Sequence, residues 1–450
     1  MSFAVVRGAP TAGQLYLDSL LAAAAEASGC RRPADVSVGA LLLHCLRLAP
    51  DHVLMVNGAT GRRSTGGELR AAAVPLARAL RARWGGAPQP ERRCLVAAMR
   101  NHEAALTLYL AALFAGVPLL IVDPAATQYE LAYYLRLAEP VGIFCDAALR
   151  GAVAAAADDA GSSAPVVALD DYELSHFVKE FCGDLDAYTT PVMEPDDVIL
   201  ILPTSGSTGM PKAAMLTNRG LLAQIPILWT HQSQFPSPTR LALVLATPQW
   251  VTFTMMVSAA IACRVSLLMS PRVITYDHVI HMMETYQPTF AVIMPTFAKK
   301  IMGSGRKEQF SSLETIYLVG APISPDIYAT VKDKVVETCA VRDSYGLTEA
   351  HCLVALAAAD GPARATGRVA NTTLYKLIKE DGTIAAAGED GELLIKSASL
   401  IKGYLNSAEF EQSLTADGFL RTGDEFCEDE AGNLYYRRRI KFTFRHKNRL

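Results

Sequence analysis

The chain reads as an α/β protein, with two parallel-type sheets flanked by helices plus a small β-rich subdomain. Three observations predict this. Between about residues 37 and 149, short apolar runs alternate with helical stretches. The alternation returns from 198 to about 350. From 361 to 436 the pattern changes to short strands and turn pairs such as Asp381-Gly382 and Asp390-Gly391. Apolar strands separated by helices imply βαβ units and a parallel sheet, whereas closely spaced strands and turns imply a β-rich unit. A chain of 450 residues exceeds a single core, so several subdomains are expected.

Residues 1–36 form an N-terminal arm with one Ala-rich helix at 15–27, since alanine has the best helix propensity. Val53-Leu54-Met55-Val56, Cys94-Leu95-Val96-Ala97-Ala98, Leu119-Leu120-Ile121-Val122 and Val141-Gly142-Ile143-Phe144-Cys145 are buried strands. Residues 150–195, rich in Ala, Asp and Ser, form a surface helix and loop. Val198-Ile199-Leu200-Ile201 opens the second α/β unit, and 241–246, 291–294 and 315–319 continue it as strands. Residues 241–263 carry no charge, and a membrane span needs about 20 apolar residues. The run contains Pro248, Gln249, Trp250 and three threonines, so it reads as a strand, a loop and a buried helix, with no transmembrane span. Strands at 374–378 and 392–396 mark the β-rich part. The boundaries are about 37–195 and 196–360 for the α/β subdomains and 361–436 for the β-rich one; 437–450 is a hinge-like segment.

The formal charge of −3 argues against general nucleic-acid binding. Nine cysteines, none in a C-x-x-C pair, suit reduced thiols in an intracellular protein, cytoplasmic or peroxisomal. No signal peptide is evident.

The most informative stretch follows the run at 198–201. Thr204-Ser205-Gly206-Ser207-Thr208-Gly209-Met210-Pro211-Lys212 packs four hydroxyls, two glycines and a lysine into nine residues. Glycines let the backbone approach an anion, and successive N–H groups can form an anion-binding nest. The hydroxyls add donors, and Lys212 adds a point charge. It is not a Walker A loop. Two residues separate Gly206 from Gly209, and Ala213 follows Lys212, so no P-loop hydroxyl is placed for magnesium. A plain Ser/Gly turn is the bland alternative.

This loop resembles the phosphate-binding signature of the adenylate-forming superfamily, which includes acyl-CoA synthetases, 4-coumarate-CoA ligases, insect luciferases and peptide-synthetase adenylation domains. The order of further motifs matches: Thr65-Gly66-Gly67-Glu68-Leu69, Arg100-Asn101-His102-Glu103, Gly116-Val117-Pro118, Val122-Asp123-Pro124, Gly320-Ala321-Pro322, Ser344-Tyr345-Gly346-Leu347-Thr348-Glu349, Lys402-Gly403-Tyr404 and Leu420-Arg421-Thr422-Gly423-Asp424. The resemblance implies that residues 1–436 are the family's large N-terminal domain. It implies ATP, magnesium and a small-molecule carboxylic acid as ligands, with CoA as co-substrate.

Adenylation joins two anions, so cationic and N–H donors are needed around the phosphates. By resemblance, the loop from Thr204 to Lys212 takes the β- and γ-phosphates, Thr348 touches the α-phosphate and Glu349 binds magnesium. Asp424 suits a ribose diol, because a carboxylate can accept two hydroxyl hydrogen bonds. Gly320, Ala321, Pro322 and Asp343, Ser344, Tyr345, Gly346 line the adenine, although Asp343-Ser344 replaces the family's common Gln-Gly. Arg439 stands at a nucleotide-side arginine position. Trp250, Val251 and Phe253 are candidates for the acid pocket; buried aromatics are more often plain core. No Asp or Glu occurs from 241 to 276, where an amino-acid substrate's ammonium group would want one. That favours an apolar acid, fatty or aryl.

Near the end the match decays. Lys441 sits near the family's pivot, but Phe444-Arg445 replaces Ile-Lys and Asn448 replaces Gly. The chain stops at Leu450, so the family's C-terminal domain, with its catalytic lysine, is expected to be absent. That leaves an alternative open: a nucleotide- or acyl-binding pseudoenzyme. The last fourteen residues hold seven Arg or Lys and read as a solvated basic tail. Asn448-Arg449-Leu450 is distantly similar to a peroxisomal Ser-Lys-Leu ending.

Overall fold

The computed structural model describes residues 12–85, 94–204, 211–230, 240–358, 361–362 and 364–440, without the side chains of 229 and 230. Three sheets organise it. A seven-stranded sheet runs in the order Gly403–Tyr404, Lys212–Thr217, Val198–Thr204, Leu119–Val122, Leu95–Ala98, Gly142–Cys145, Val166–Ala168. The five strands from Val198–Thr204 to Val166–Ala168 are parallel, and the other two pair antiparallel. A nine-stranded sheet has six parallel strands at its centre: Ala340–Leu347, Thr315–Leu318, Phe290–Ile293, Leu241–Val244, Ser266–Met269 and Val53–Asn57. Arg63–Thr65 closes one edge, and Cys352–Leu356 with Arg368–Val369 closes the other. The third sheet is antiparallel: Thr373–Ile378, Asp390–Ser397, Leu420–Glu428 and Leu434–Arg439.

The large sheets interleave in sequence. Val53–Asn57 pairs with Ser266–Met269, while Val198–Thr204 pairs with Leu119–Val122. Side-chain alternation explains the layering. Leu95 and Ala97 join a central core with Leu54, Ala242 and Leu267 from the other sheet. Val96 and Ala98 face the outer helices Gln128–Ala138 and Arg150–Ala160. Ile316 and Leu318 face the helices Tyr276–Tyr286, Pro295–Ser304 and Pro325–Lys334. The central layer holds Val38–Leu48, Glu103–Ala115 and Val251–Cys263, the last two buried on nearly every side, as helices apolar all round must be.

Residues 241–263 are the expected strand, loop and buried helix. No helix among the described residues is long and apolar enough to cross a membrane. Thr65 and Thr127 start helices as capping boxes with Glu68 and Glu130. Residues 150–195 hold a strand not foreseen, Val166–Ala168, between the helices Arg150–Ala160 and Asp171–Val178.

Candidate active site

The apolar strand expected at 198–201 runs on to Thr204, and Lys212 begins a second, antiparallel strand. Thr204 and Lys212 are cross-strand partners. Ser205, Gly206, Ser207, Thr208 and Gly209 lie outside the described residues. Lys212 is not free: it ion-pairs with Glu409 and lies 5.1 Å from the centre of the Tyr404 ring. The Tyr404 hydroxyl donates to Glu349 at 2.5 Å. One tyrosine thus bridges the two residues expected to handle phosphate and magnesium.

Local folding explains the meeting. Strand Ala340–Leu347 ends in a short turn, Thr348–Ala350, and the chain reverses into Cys352–Leu356. The reversal is made at His351, which has a left-handed backbone (φ 57°). His351 is fully buried. Its Nε2 accepts from the Thr217 N–H at 2.8 Å, so its Nδ1–H donates to the Ser399 carbonyl at 2.5 Å. Burial lowers its pKa to about 4, so it stays neutral. Residues 401–405 are tied on both sides, with Ile401 N–H to the Glu349 carbonyl and Lys402 N–H to the Met215 carbonyl.

On the β-rich sheet, Gly423 adopts φ 71°, and the ladder shifts register opposite it, between Glu392 and Leu394. This leaves Asp424 buried, its Oδ2 accepting from Tyr345 Oη at 2.6 Å and Arg439 Nη1 at 2.8 Å. Burial pushes the Asp424 carboxyl up, and these two donors oppose the shift.

A cavity of about 500 Å³ joins these parts. Its polar wall is Thr204, Lys212, Thr348, Glu349, Tyr404, Glu409 and Arg439; its apolar wall includes Trp250, Val251, Met255, Val292, Val319 and Leu353. Strand alternation splits the other expected nucleotide residues. Gly320, Ser344 and Gly346 line this cavity. Pro322 and Asp343 line a neighbouring one of about 710 Å³, with Tyr436. Tyr345 packs edge-on against Phe426, ring centres 4.9 Å apart. Ala321 borders neither cavity. Phe253 does not line the acid pocket either: the helix turns it toward Tyr109, 5.7 Å away edge to face. Asp343 is pushed up to about 7, chiefly by burial and against a hydrogen bond from Thr366.

Sequence reasoning missed Glu409 and gave Tyr404 no role, although Lys402-Gly403-Tyr404 stood among the motifs. No spacing signal links Glu409 to Lys212, because the two meet only through the fold.

Among the described residues no group of three or more His, Cys, Asp or Glu side chains could hold a metal on protein ligands alone. Glu349 beside Thr348 fits a magnesium ion brought in on a triphosphate, since that ion takes one or two carboxylates together with waters and phosphate oxygens.

The family model described as "AMP-binding enzyme" matches residues 44–405. 4-Coumarate–CoA ligase-like 4 of Oryza sativa subsp. japonica is 25% identical over 92% of this chain and 77% of its own length. 4-Coumarate–CoA ligase 1 of Arabidopsis thaliana is 25% identical over 75% of this chain and 64% of its own. The luciferase-like enzyme of the nonluminescent Zophobas morio mealworm superposes with a TM-score of 0.80 at 21% identity, covering 91% of this chain and 97% of that one. ATP-bound MatB from Rhodopseudomonas palustris gives a TM-score of 0.77 at 25% identity, covering 89% and 78%.

Proposed function

The chain belongs to the AMP-binding enzyme family, and from that premise we propose that it activates a carboxylic acid with ATP to an acyl-adenylate, releasing pyrophosphate, before CoA takes the acyl group as a thioester. The observation that carries this reading is one cavity in which Thr204, Lys212, Thr348 and Glu349 face an apolar pocket, with Arg439 at its wall holding Asp424. Lys212 supplies positive charge to the departing phosphates. Thr204 and Thr348 offer hydroxyl donors. Asp424, oriented by Tyr345 and Arg439, accepts from the ribose hydroxyls. The chain's contribution is to hold carboxylate and α-phosphate in line and to spread the developing charge over fixed donors. Magnesium, held at Glu349, would neutralise phosphate charge. We assign residues 1–436 to this adenylation unit.

ATP–pyrophosphate exchange tests the reading, with a panel of fatty and aryl acids and Lys212→Ala as control. Exchange that requires one acid class and falls at least about tenfold in the control supports it. ATP binding without exchange supports the second reading, a nucleotide- or acyl-binding pseudoenzyme. That reading draws on Lys212, whose charge Glu409 already meets. No ATP binding overturns both.

A further inference from the structure

Tyr404 is fixed from several sides. Strand Gly403–Tyr404 pairs antiparallel with Lys212–Thr217, with Tyr404 opposite Ala214. The Lys402 and Leu405 N–H groups pin it by donating to the Met215 and Ala213 carbonyls. Period-two alternation puts Lys212 on the face that Tyr404 shares with Ala214, as its diagonal neighbour. The ammonium group therefore lies over the ring, 5.1 Å from its centre. Phe410 packs edge-on against the same ring, centres 6.1 Å apart. The ring is buried, and its hydroxyl donates to Glu349 Oε1.

That hydroxyl is the one side-chain tie on the Glu349 carboxylate among the described residues. Lys212 and Arg439 share the cavity with Glu349 but pair with Glu409 and Asp424 instead. Oε1 is held, and Oε2 accepts no hydrogen bond among the described residues. A carboxylate with one oxygen held by an outer partner and the other open is arranged as a metal ligand is. Magnesium takes only one or two carboxylates and completes its octahedron with waters and phosphate oxygens, so the orientation of each carboxylate counts.

We infer that Tyr404 is a positioning residue for magnesium: its hydroxyl holds Glu349 Oε1 and leaves Oε2 for the ion carried on ATP, while its ring keeps the Lys212 ammonium group beside the phosphates. One side chain thus sets the spacing between the metal's carboxylate and the phosphate-binding cation. Without the hydroxyl, the Glu349 carboxylate is free to turn, and the opposite charge of Lys212 in the same cavity draws it away from the metal. This deepens the adenylation reading above and rests on the ATP and magnesium of that reading.

Calorimetric titration of the chain with ATP, once in EDTA and once in magnesium, tests the inference without requiring turnover. The readout is the ratio of the two Kd values. Magnesium should tighten ATP binding to the wild-type chain. Tyr404→Phe keeps the ring against Lys212 and Phe410, and should bring that ratio down about tenfold or to unity. Glu349→Gln should do the same, and adding Tyr404→Phe to it should change the ratio no further, because the tyrosine acts through that carboxylate. A merely structural loss would weaken binding in both conditions alike and leave the ratio standing, which overturns the inference. A ratio that rises in Tyr404→Phe overturns it too, since the hydroxyl would then be the metal's competitor. Wild-type binding indifferent to magnesium overturns the inference and leaves nucleotide binding in place. The expected fall in ratio, in a chain without ATP–pyrophosphate exchange, upholds the inference and removes adenylation. ATP bound in neither condition overturns both.

Discussion

His351 and Asp343 sit eight residues apart on the same hairpin and titrate in opposite senses. His351 is neutral in the fold with a pKa near 4, against 6.5 for the free group. Between those values the unfolded chain binds the extra proton, so stability is full above pH 6.5 and falls as pH drops toward 4, by up to about 3 kcal/mol in all. Asp343 is raised from 3.8 to about 7, so across that interval the folded chain holds the extra proton and stability falls as pH rises. The slopes oppose one another across pH 4 to 6.5. Asp343→Asn should therefore steepen the loss of stability on acidification, whereas His351→Gln should leave a chain that loses stability as pH rises. Urea titrations at pH 4.5, 6 and 7.5 would show this, and parallel profiles in both variants would refute the assignment. His351→Ala should cost about 2–4 kcal/mol at neutral pH, because it orphans the Thr217 N–H and the Ser399 carbonyl. Gly220→Ala should fail similarly, since a Cβ there would lie 2.3 Å from His351 Nε2. Neither residue was legible as important. A histidine after Thr-Glu has no pattern of its own, and its role follows from strands that meet only in three dimensions.

At the scale of elements, legibility followed apolarity. Leu119–Val122 was read to the residue, because a fully buried parallel strand is a continuous apolar run. Ala340–Leu347 was not read as a strand, because its burial alternates around Arg342, Asp343 and Ser344. Lys212–Thr217 was hidden for a related reason: its lysine belonged visually to the phosphate loop. The short helix Glu409–Gln412 gave no signal, yet it carries the carboxylate on Lys212. With Glu409's side chain 46% exposed, that pair is worth at most about 1 kcal/mol, and an incoming triphosphate competes for the same ammonium group. Glu409→Gln should lower the KM for ATP about two- to fivefold, most clearly at low salt, whereas Lys212→Ala should raise it at least about tenfold. If Glu409→Gln raises KM as Lys212→Ala does, the carboxylate positions the lysine instead of competing for it.

At the scale of the whole molecule, the sequence suggests two α/β units in succession, about 37–195 and 196–360, whereas the strands pair across that boundary. Which parallel strands become neighbours depends on crossover connections, and an apolar run such as Val53–Asn57 looks the same in either sheet. The structure exchanges strands between the sheets and packs both against one helical layer, where Tyr109 meets Phe253 edge to face and Tyr109 Oη meets Ser258 Oγ at 3.3 Å. Apolar side chains from both sheets belong to one buried cluster, so losing that layer strips the inner face of each sheet and leaves only the outer clusters against the flanking helices. Phe253→Ala removes a ring with 1% exposure from its centre and should cost about 3–5 kcal/mol. Both large sheets should then melt together at a lower Tm in a calorimetric scan, with the KM for the acid nearly unchanged in the folded fraction. The two readings of Phe253 diverge here. A pocket residue would shift the acid's KM and spare Tm, whereas the central layer's keystone shifts Tm and spares KM.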